Sequence, residues 1–417
     1  MSTVATRTRL GAPYRLLWLA TAISNLGDGI TRTAAPLLAA SLTRDPRLVA
    51  GLTTALMLPW LLFALPSGAV VDRLDRRLLM TVVEVLRGLV MVGFALSVAF
   101  GGVRLFVLYL VFFLIGVGET LYDTSADAMV PSVVGPDRFE DANGWMAAAE
   151  TGANDLLGPA IGGAVYAAAI ALPFFLDAVS FALSAGLVLA MWKTMPAGDV
   201  AVEVVSRERM RHEIAEGMRW LRDKVVLRRL AIAHGIHNLY AGAIFAVMVL
   251  YATRWLHLGS AQYGLFLAVV SLGGVVGGLI AGPVVHRIGR GPALVVCVLA
   301  EAAGDFVTGV THDAWLAVVA GAIGMCGWFV WSTVSASLRQ LLTPDALLGR
   351  LTAAYRFVVY GPVVVGATAG GFVVQATDEG MVFRLSGLTL GVIGVWSMFV
   401  FGSRRARAEE PSLERAG

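Results

Sequence analysis

Asp28 and Arg32 stand four residues apart in ISNLGDGITRTAAP (residues 23–36), inside a stretch otherwise apolar enough to cross a membrane. Glu119, Asp123 and Asp127 repeat that spacing in GVGETLYDTSADAMVP (116–131). Residues four apart share one face of a helix. A charge in hydrocarbon costs roughly 3 kcal/mol on insertion scales, so each such group requires a partner, water or a task. Carboxyl groups gathered around one guanidinium in a dry pocket cannot all be ionised, and at least one is expected to hold a proton and exchange it near neutrality. The plainer reading is that Asp28 and Arg32 neutralise each other as an i,i+4 pair.

The elements that must position these groups follow from composition. The 417 residues are 57% hydrophobic and 15% charged, with a mean hydropathy of +0.75, which points to a polytopic membrane protein. Twelve apolar runs recur, the first at 16–42, the fifth at 142–168 and the last at 382–402, each long enough to span a core roughly 30 Å thick. Runs of this length in lipid are helices, because their backbone groups must be bonded internally. The expected organisation is a bundle over 1–192, a linker over 193–228, a second bundle over 229–403 and a tail over 404–417. The spacing of Ile214, Met218, Leu221 and Val225 predicts an amphipathic linker helix lying on the membrane surface.

Basic residues set the orientation. With the N-terminus inside, 24 of the 32 Lys and Arg lie on the inner side, five outside and Arg32, Arg87 and Arg356 within segments. Both termini are therefore expected in the cytoplasm. The first segment is too long and too polar for a cleaved signal peptide and is expected to persist. Cys297 and Cys326 lack metal-ligand spacing and are assigned to packing. Nucleic-acid binding is not indicated by a net charge of +3, which the inner-face bias explains. With Lys193 and Lys224 the only lysines and no Gly-Lys pair, no phosphate-binding loop exists. No cofactor, metal cluster or nucleophile with a neighbouring base is indicated, so the chain does not read as an enzyme.

The halves repeat. GPDRFEDANGWMAAAETGANDLLGPAIGG (135–163) overlies TPDALLGRLTAAYRFVVYGPVVVGATAGG (343–371) at an offset of 208, and GAVVDRLDRR (68–77) overlies GPVVHRIGRG (282–291) at 214. Both matches in the same order argue for a duplicated six-helix unit.

GAVVDRLDRR resembles the signature loop of the major facilitator superfamily, Gly-x3-Asp-Arg-x-Gly-Arg-Arg or Lys. Asp75 occupies the usual second glycine, and His286 replaces the acid in the second copy. Gly158, Pro159, Gly162 and Gly163 in GPAIGG resemble the core found in exporters of that superfamily. PFFLDAVSFALSAG (173–186) and EIAEGMRWLRDKVVLRRLA (213–231) look like the twelve-helix branch containing enterobactin-type siderophore exporters and macrolide or multidrug efflux proteins. The resemblance implies an all-α membrane protein with twelve transmembrane helices in two pseudo-symmetric six-helix bundles, in the cell (inner) membrane and expected to be monomeric.

In that fold the first and fourth helices of each half line a central cavity. The resemblance thus puts Asp28, Arg32, Glu119 and Asp123 around one pocket, with Asp28, Glu119 and Asp123 exchanging protons. Further candidate substrate contacts are Tyr122, Asp155, His237, Asn238, Tyr240, Trp328 and Tyr355, with core packing as the bland alternative. Gly68, Asp72, Arg73, Arg76, Arg77 and Arg138 are the candidate gate: Gly68 for close helix approach, Asp72 facing a helix N-terminus, Arg76 bridging to a carboxylate. GPAIGG would pack helices tightly, with Pro159 loosening the backbone ladder. Glu84 and Arg87, Asp177, and Glu301 and Asp305 are expected to be structural pairings.

Three functions fit: a proton-coupled exporter of amphipathic small molecules, an exporter of a narrow anionic substrate such as a siderophore held by Arg32 and Arg356, and a membrane sensor or scaffold without turnover. One inward proton, driven by about 100 mV and about one pH unit, supplies roughly 3.7 kcal/mol, enough for a several-hundred-fold gradient.

Overall fold

The computed structural model describes residues 11–71, 73–135, 138–193, 216 and 218–401. Among them no strand occurs, and the chain runs through twelve helical segments. These are α1 (Ala12–Leu42), α2 (Pro46–Val71), α3 (Arg76–Ala99), α4 (Leu105–Val133), α5, α6 (Leu172–Met191), α7 (Val225–Leu250), α8 (Ser260–Ile288), α9 (Arg290–Val310), α10 (Ala314–Leu341), α11 (Asp345–Ala376) and α12 (Met381–Phe401). Helix α5 has three parts: Phe139–Glu150, a π-helical stretch Thr151–Leu157, and Gly158–Ala168. A shorter π stretch, Tyr251–Trp255, ends α7.

Among the described residues ten helices are long and apolar enough to cross a membrane, by length and composition alone. The two that fall short are informative. Helix α1 has the length, 31 residues, but Asp28, Arg32 and a run of small polar residues lower its hydropathy. Helix α5 is divided by its π segment, which ends at Leu157, two residues before Pro159, whose missing N–H removes one bond from the helical ladder.

The signature loops show two ways to start a helix. Asp75 (φ −61°) caps α3, accepting from the backbone N–H of Arg77 at 2.9 Å and of Leu78 at 3.3 Å. In the second copy the same place holds Gly289 at φ +82°, a conformation that favours glycine, and α9 begins at once. The departure from the motif at Asp75 therefore replaces a left-handed turn with a side-chain cap.

The chain divides into two compact units, Met1–Ala35 with Leu62–Val204, and Pro36–Leu61 with Val205–Gly417. In the first, α1 packs on α5 through backbone contact. A Cβ on Gly29 would lie 2.6 Å from the Asn154 carbonyl oxygen, one on Gly158 2.6 Å from Gly29 Cα, and one on Gly162 2.5 Å from the Ile30 carbonyl oxygen. In the second unit α7 and α11 make the same contact: Gly366 against Leu239, Gly370 against Ala243, and Gly242 against Val363. The repeat read from sequence is thus a repeat of helix seams.

The second unit also includes the ends of α1 and α2 around residues 43–45. Gly371 abuts the backbone of Pro46 and Arg47, Ala50 is buried with Ala246 and Ala367, and the Thr54 and Thr368 hydroxyls lie 3.1 Å apart.

Of the linker, residues 218–223 are helical. Their apolar edge is not left facing a membrane surface as expected. Leu221 is 4% exposed and, with Met218, packs onto Leu227, Leu351 and Tyr355, where burial against protein is available. Ile214 and the tail over 404–417 lie outside the described residues.

Candidate functional site

Within the first unit, one turn of α1 meets three other helices. Gly27 comes first: a Cβ there would fall 2.3 Å from Asp177 Oδ1 and 2.0 Å from Ser180 Oγ, so glycine is what lets α6 bring its acid against α1. Thr31, one turn on, donates to Asp177 Oδ2 at 3.2 Å, and Ser180 donates to Oδ1 at 3.2 Å.

Asp28 and Arg32 do not pair with each other. Their side chains diverge by about 40° around the helix, and each finds an interhelical partner. Arg87 of α3 donates from Nη2 to Asp28 Oδ1 at 2.6 Å. Arg32 forms an ion pair with Glu119 of α4. Gly118 beside Glu119 makes room for the Arg87 stem, since a Cβ there would stand 2.8 Å from Arg87 Cγ and Cδ.

Arg87 is the hub. Its Nη1 lies 3.4 Å from both Glu84 Oε1 and Ser24 Oγ, Ser24 donates to Glu84 Oε1 at 3.0 Å, and the guanidinium sits 4.1 Å from the centre of the Phe181 ring. Asp28, Glu84, Arg87, Glu119 and Asp177 are each less than 7% exposed, whereas the Arg32 side chain is one quarter exposed. Asp123 is half-buried and Asp155 exposed, both within the electrostatic reach of Arg32. The arrangement holds two guanidiniums among four buried carboxyls, a chemistry of ion pairing and proton storage.

The other residues singled out from sequence take varied places. Tyr122 is buried, its hydroxyl 3.2 Å from Ser184 Oγ and 3.5 Å from Thr21 Oγ1. In the second unit, buried Asn238 donates to the Val359 carbonyl at 2.9 Å, Tyr240 meets Thr389 at 2.8 Å, and the buried Tyr355 hydroxyl lies 3.1 Å from His234 Nδ1. His237 contacts Glu301 and stacks on Trp328.

At the signature loop, Arg76 donates to the Ala128 carbonyl at 2.8 Å, a backbone acceptor near the end of α4 in addition to any carboxylate. Arg77 pairs with Asp75 at 3.2 Å and lies over the Trp192 ring. Arg138 pairs with Asp141 at 3.6 Å, Arg73 is exposed, and Asp72 lies outside the described residues. Gly68 is not at a close helix approach: an added Cβ meets none of the described residues within 4 Å. Tight contact occurs instead at Gly158 and Gly162, with Pro159 and Gly163 buried beside them.

The expected pairing of Glu84 with Arg87 is present at 3.4 Å, and beyond that expectation Arg87 reaches Asp28 and Asp177 accepts from Thr31. The available signal was the i,i+3 spacing of Glu84 and Arg87 in an apolar helix, together with Gly27 and Gly118, which open space for Asp177 and Arg87.

A two-unit, all-helical membrane protein with ionisable residues buried inside a bundle belongs to the transporters rather than to the enzymes. The family model for transmembrane secretion effectors matches residues 10–413, and the chain belongs to that family of the major facilitator superfamily. It is similar to the enterobactin exporter EntS of Citrobacter koseri, 25% identical over 408 residues covering 96% of this chain and 94% of the relative. EntS of Salmonella typhimurium is 25% identical over 414 residues, 97% and 96% of the two chains. Among solved structures, a bacterial homologue of the iron transporter ferroportin in an inward-facing state aligns with a TM-score of 0.73 at 16% identity, over 92% of this chain and 98% of that one. The nucleoside transporter NupG aligns with a TM-score of 0.72 at 14% identity, over 94% and 100%. These structures share the fold. The protein is a multi-pass membrane transporter.

Proposed function

We propose that the chain is a secondary active exporter of amphipathic small molecules, such as antibiotics or related metabolites, driven by inward protons through alternating access. The observation that carries this reading is the imbalance in the first unit: Asp28, Glu84, Glu119 and Asp177 against Arg32 and Arg87. Two guanidiniums balance two carboxylates, and the remaining acids are neutral only by carrying protons. Asp28 and Glu119 are the exchanging acids, because opening either ion pair adds a further unbalanced carboxyl that must take up a proton, with Asp123 nearer solvent as the relay. In this reading both termini face the cytoplasm, the chain works as a monomer, and the signature loop latches the cytoplasmic side.

A second reading, export of a siderophore or another anionic metabolite, is supported by the relatives named enterobactin exporters. It requires a cation for the ligand. Arg32, with its side chain one quarter exposed, would leave Glu119 to provide it.

The test is uptake into inside-out vesicles under an imposed proton gradient, with ethidium, a macrolide and an enterobactin-type catecholate as probes, comparing wild type with Asp28→Asn and Glu119→Gln. Wild-type uptake of the cationic or neutral amphipaths is expected to be uncoupler-sensitive and lost in both variants. Undiminished, uncoupler-sensitive uptake in both variants refutes the proton site. Uptake of the catecholate alone selects the second reading, and uptake of no probe with no effect of deletion on accumulation favours a non-transporting sensor.

A further inference from the structure

The second unit carries a buried pair that answers to the Asp28 and Arg87 pair of the first. The α1·α5 contact of Gly158 with Gly29 recurs as the α7·α11 contact of Gly366 with Leu239. On that register Asp28 corresponds to Asn238, the residue after His237, and at the offset of the signature loops Arg87 corresponds to Glu301. His237 Nδ1 on α7 is in contact with Glu301 Oε1 on α9. The first unit thus joins an acid on its first helix to a base on its third, and the second unit a base on its first to an acid on its third.

We propose that His237 and Glu301 form a proton-binding site of the second unit, the repeat-related counterpart of the Asp28 and Arg87 pair with its charges exchanged. Arginine stays charged at any pH a cell meets, whereas histidine titrates. A proton taken up at the contact of His237 with Glu301 turns a singly negative pair into a neutral one, and its loss reverses the change; no other bond is made or broken. Glu301 is 4% exposed, so the two states differ in a dry setting where one net charge is costly.

The surroundings fit that use. The His237 ring lies flat on Trp328, with centroids 3.3 Å apart and planes 6° apart, a geometry that favours the cation. A small cavity lined by His237, Glu301, Trp328, Trp331 and Leu390 adjoins the pair. Among the described residues the titratable thiols nearby are Cys297 on α9, which is electrostatically coupled to Glu301, and Cys326 on α10. Helix α9 adds Asp305, whose Oδ2 accepts from Ser386 of α12 at 2.5 Å. Helix α7 itself adds His234, which meets Tyr355 of α11. Helix α10 adds Arg339, stacked on the Tyr355 ring, and Arg384 of α12 is occupied with Asp378. This site is separate from the proposed one in the first unit, and its test requires no transported compound.

Trp328 is a built-in reporter, because a protonated imidazole stacked on an indole quenches its emission. Tryptophan fluorescence of the purified protein in detergent, titrated through the histidine range, is expected to show a component present in wild type and lost in His237→Gln and in Trp328→Phe. It should persist in His234→Gln and shift its midpoint in Glu301→Gln. A component that persists in His237→Gln, or that disappears with His234 instead, overturns the proposal. Should His237→Gln fail to yield folded protein by size exclusion, the midpoint in Glu301→Gln decides: an unchanged midpoint overturns the proposal as well.

Discussion

Arg87 on α3 reaches Asp28 on α1 at 2.6 Å, and the arginine is 3% exposed. Removing one member of such a pair leaves the other charge buried and unpaired, a loss of about 3–5 kcal/mol. Arg87→Met is therefore expected to lower the melting temperature of the detergent-solubilised protein strongly. Combining it with Asp28→Asn should recover part of the loss. A double variant as unstable as the sum of the two singles would mean the contact is not a coupled pair.

The Arg32 and Glu119 pair behaves differently because Arg32 is partly exposed. Arg32→Gln leaves Glu119, itself 6% exposed, without its cation, so it is expected to lower stability, though by less than Arg87→Met, while greatly reducing proton-driven uptake. Stability is read by thermal melting and uptake in the vesicle assay. A variant that transports normally would assign Arg32 to structure alone.

The glycine seam and the signature-loop glycine make opposite forecasts. Gly158→Ala pushes a methyl to 2.6 Å from Gly29 Cα, with an expected cost of about 1–3 kcal/mol. Gly68→Ala, which meets open space, should leave the melting temperature within error or raise it slightly. Equal effects at the two positions would contradict the backbone contact.

Thr54 and Thr368 place their hydroxyls 3.1 Å apart in the second unit. In a background with Cys297→Ser and Cys326→Ser, a Thr54→Cys, Thr368→Cys double variant is expected to cross-link on oxidation. If transport requires the end of α2 to leave α11, the cross-link should abolish uptake and a reductant should restore it. Full uptake by the cross-linked protein would show that this contact stays closed throughout the cycle.

Asp75, outside the membrane-spanning segments, offers a pH test. Partial burial works against its ionisation, yet hydrogen bonds from the Arg77 side chain and from the Leu78 and Arg77 amides hold it below the usual carboxylate value. A depressed folded value adds stability above the unfolded value and loses it as the pH falls through the folded one. Asp75→Ala should therefore cost about 1 kcal/mol at neutral pH, with the gap to wild type closing below about pH 4. A gap independent of pH would show that the cap works without its charge.

Fold class was legible because each helix states it locally: apolar runs of membrane length, a repeat at two offsets, and a signature loop. The partners of the buried charges were not. Asp28 and Arg32 share a helix face, and nothing within α1 tells that Arg87 approaches one and Glu119 the other; that depends on how α3 and α4 approach α1, where Gly118 leaves room for the Arg87 stem. The same holds for His237 and Glu301, which are far apart in sequence and come together only in the folded second unit. Motif logic also misled at Gly68, where the conserved-looking glycine meets open space and the working close contacts lie in GPAIGG.

The reversed polarity of the two pairs has a bearing on modularity. Although the halves share a folding plan, they are not exchangeable parts: a hybrid that set α1 beside α9 would confront Asp28 with Glu301, and one that set α7 beside α3 would confront His237 with Arg87. Each half is keyed by charge to its own third helix, so fragments of this chain expressed separately carry an instruction for pairing correctly.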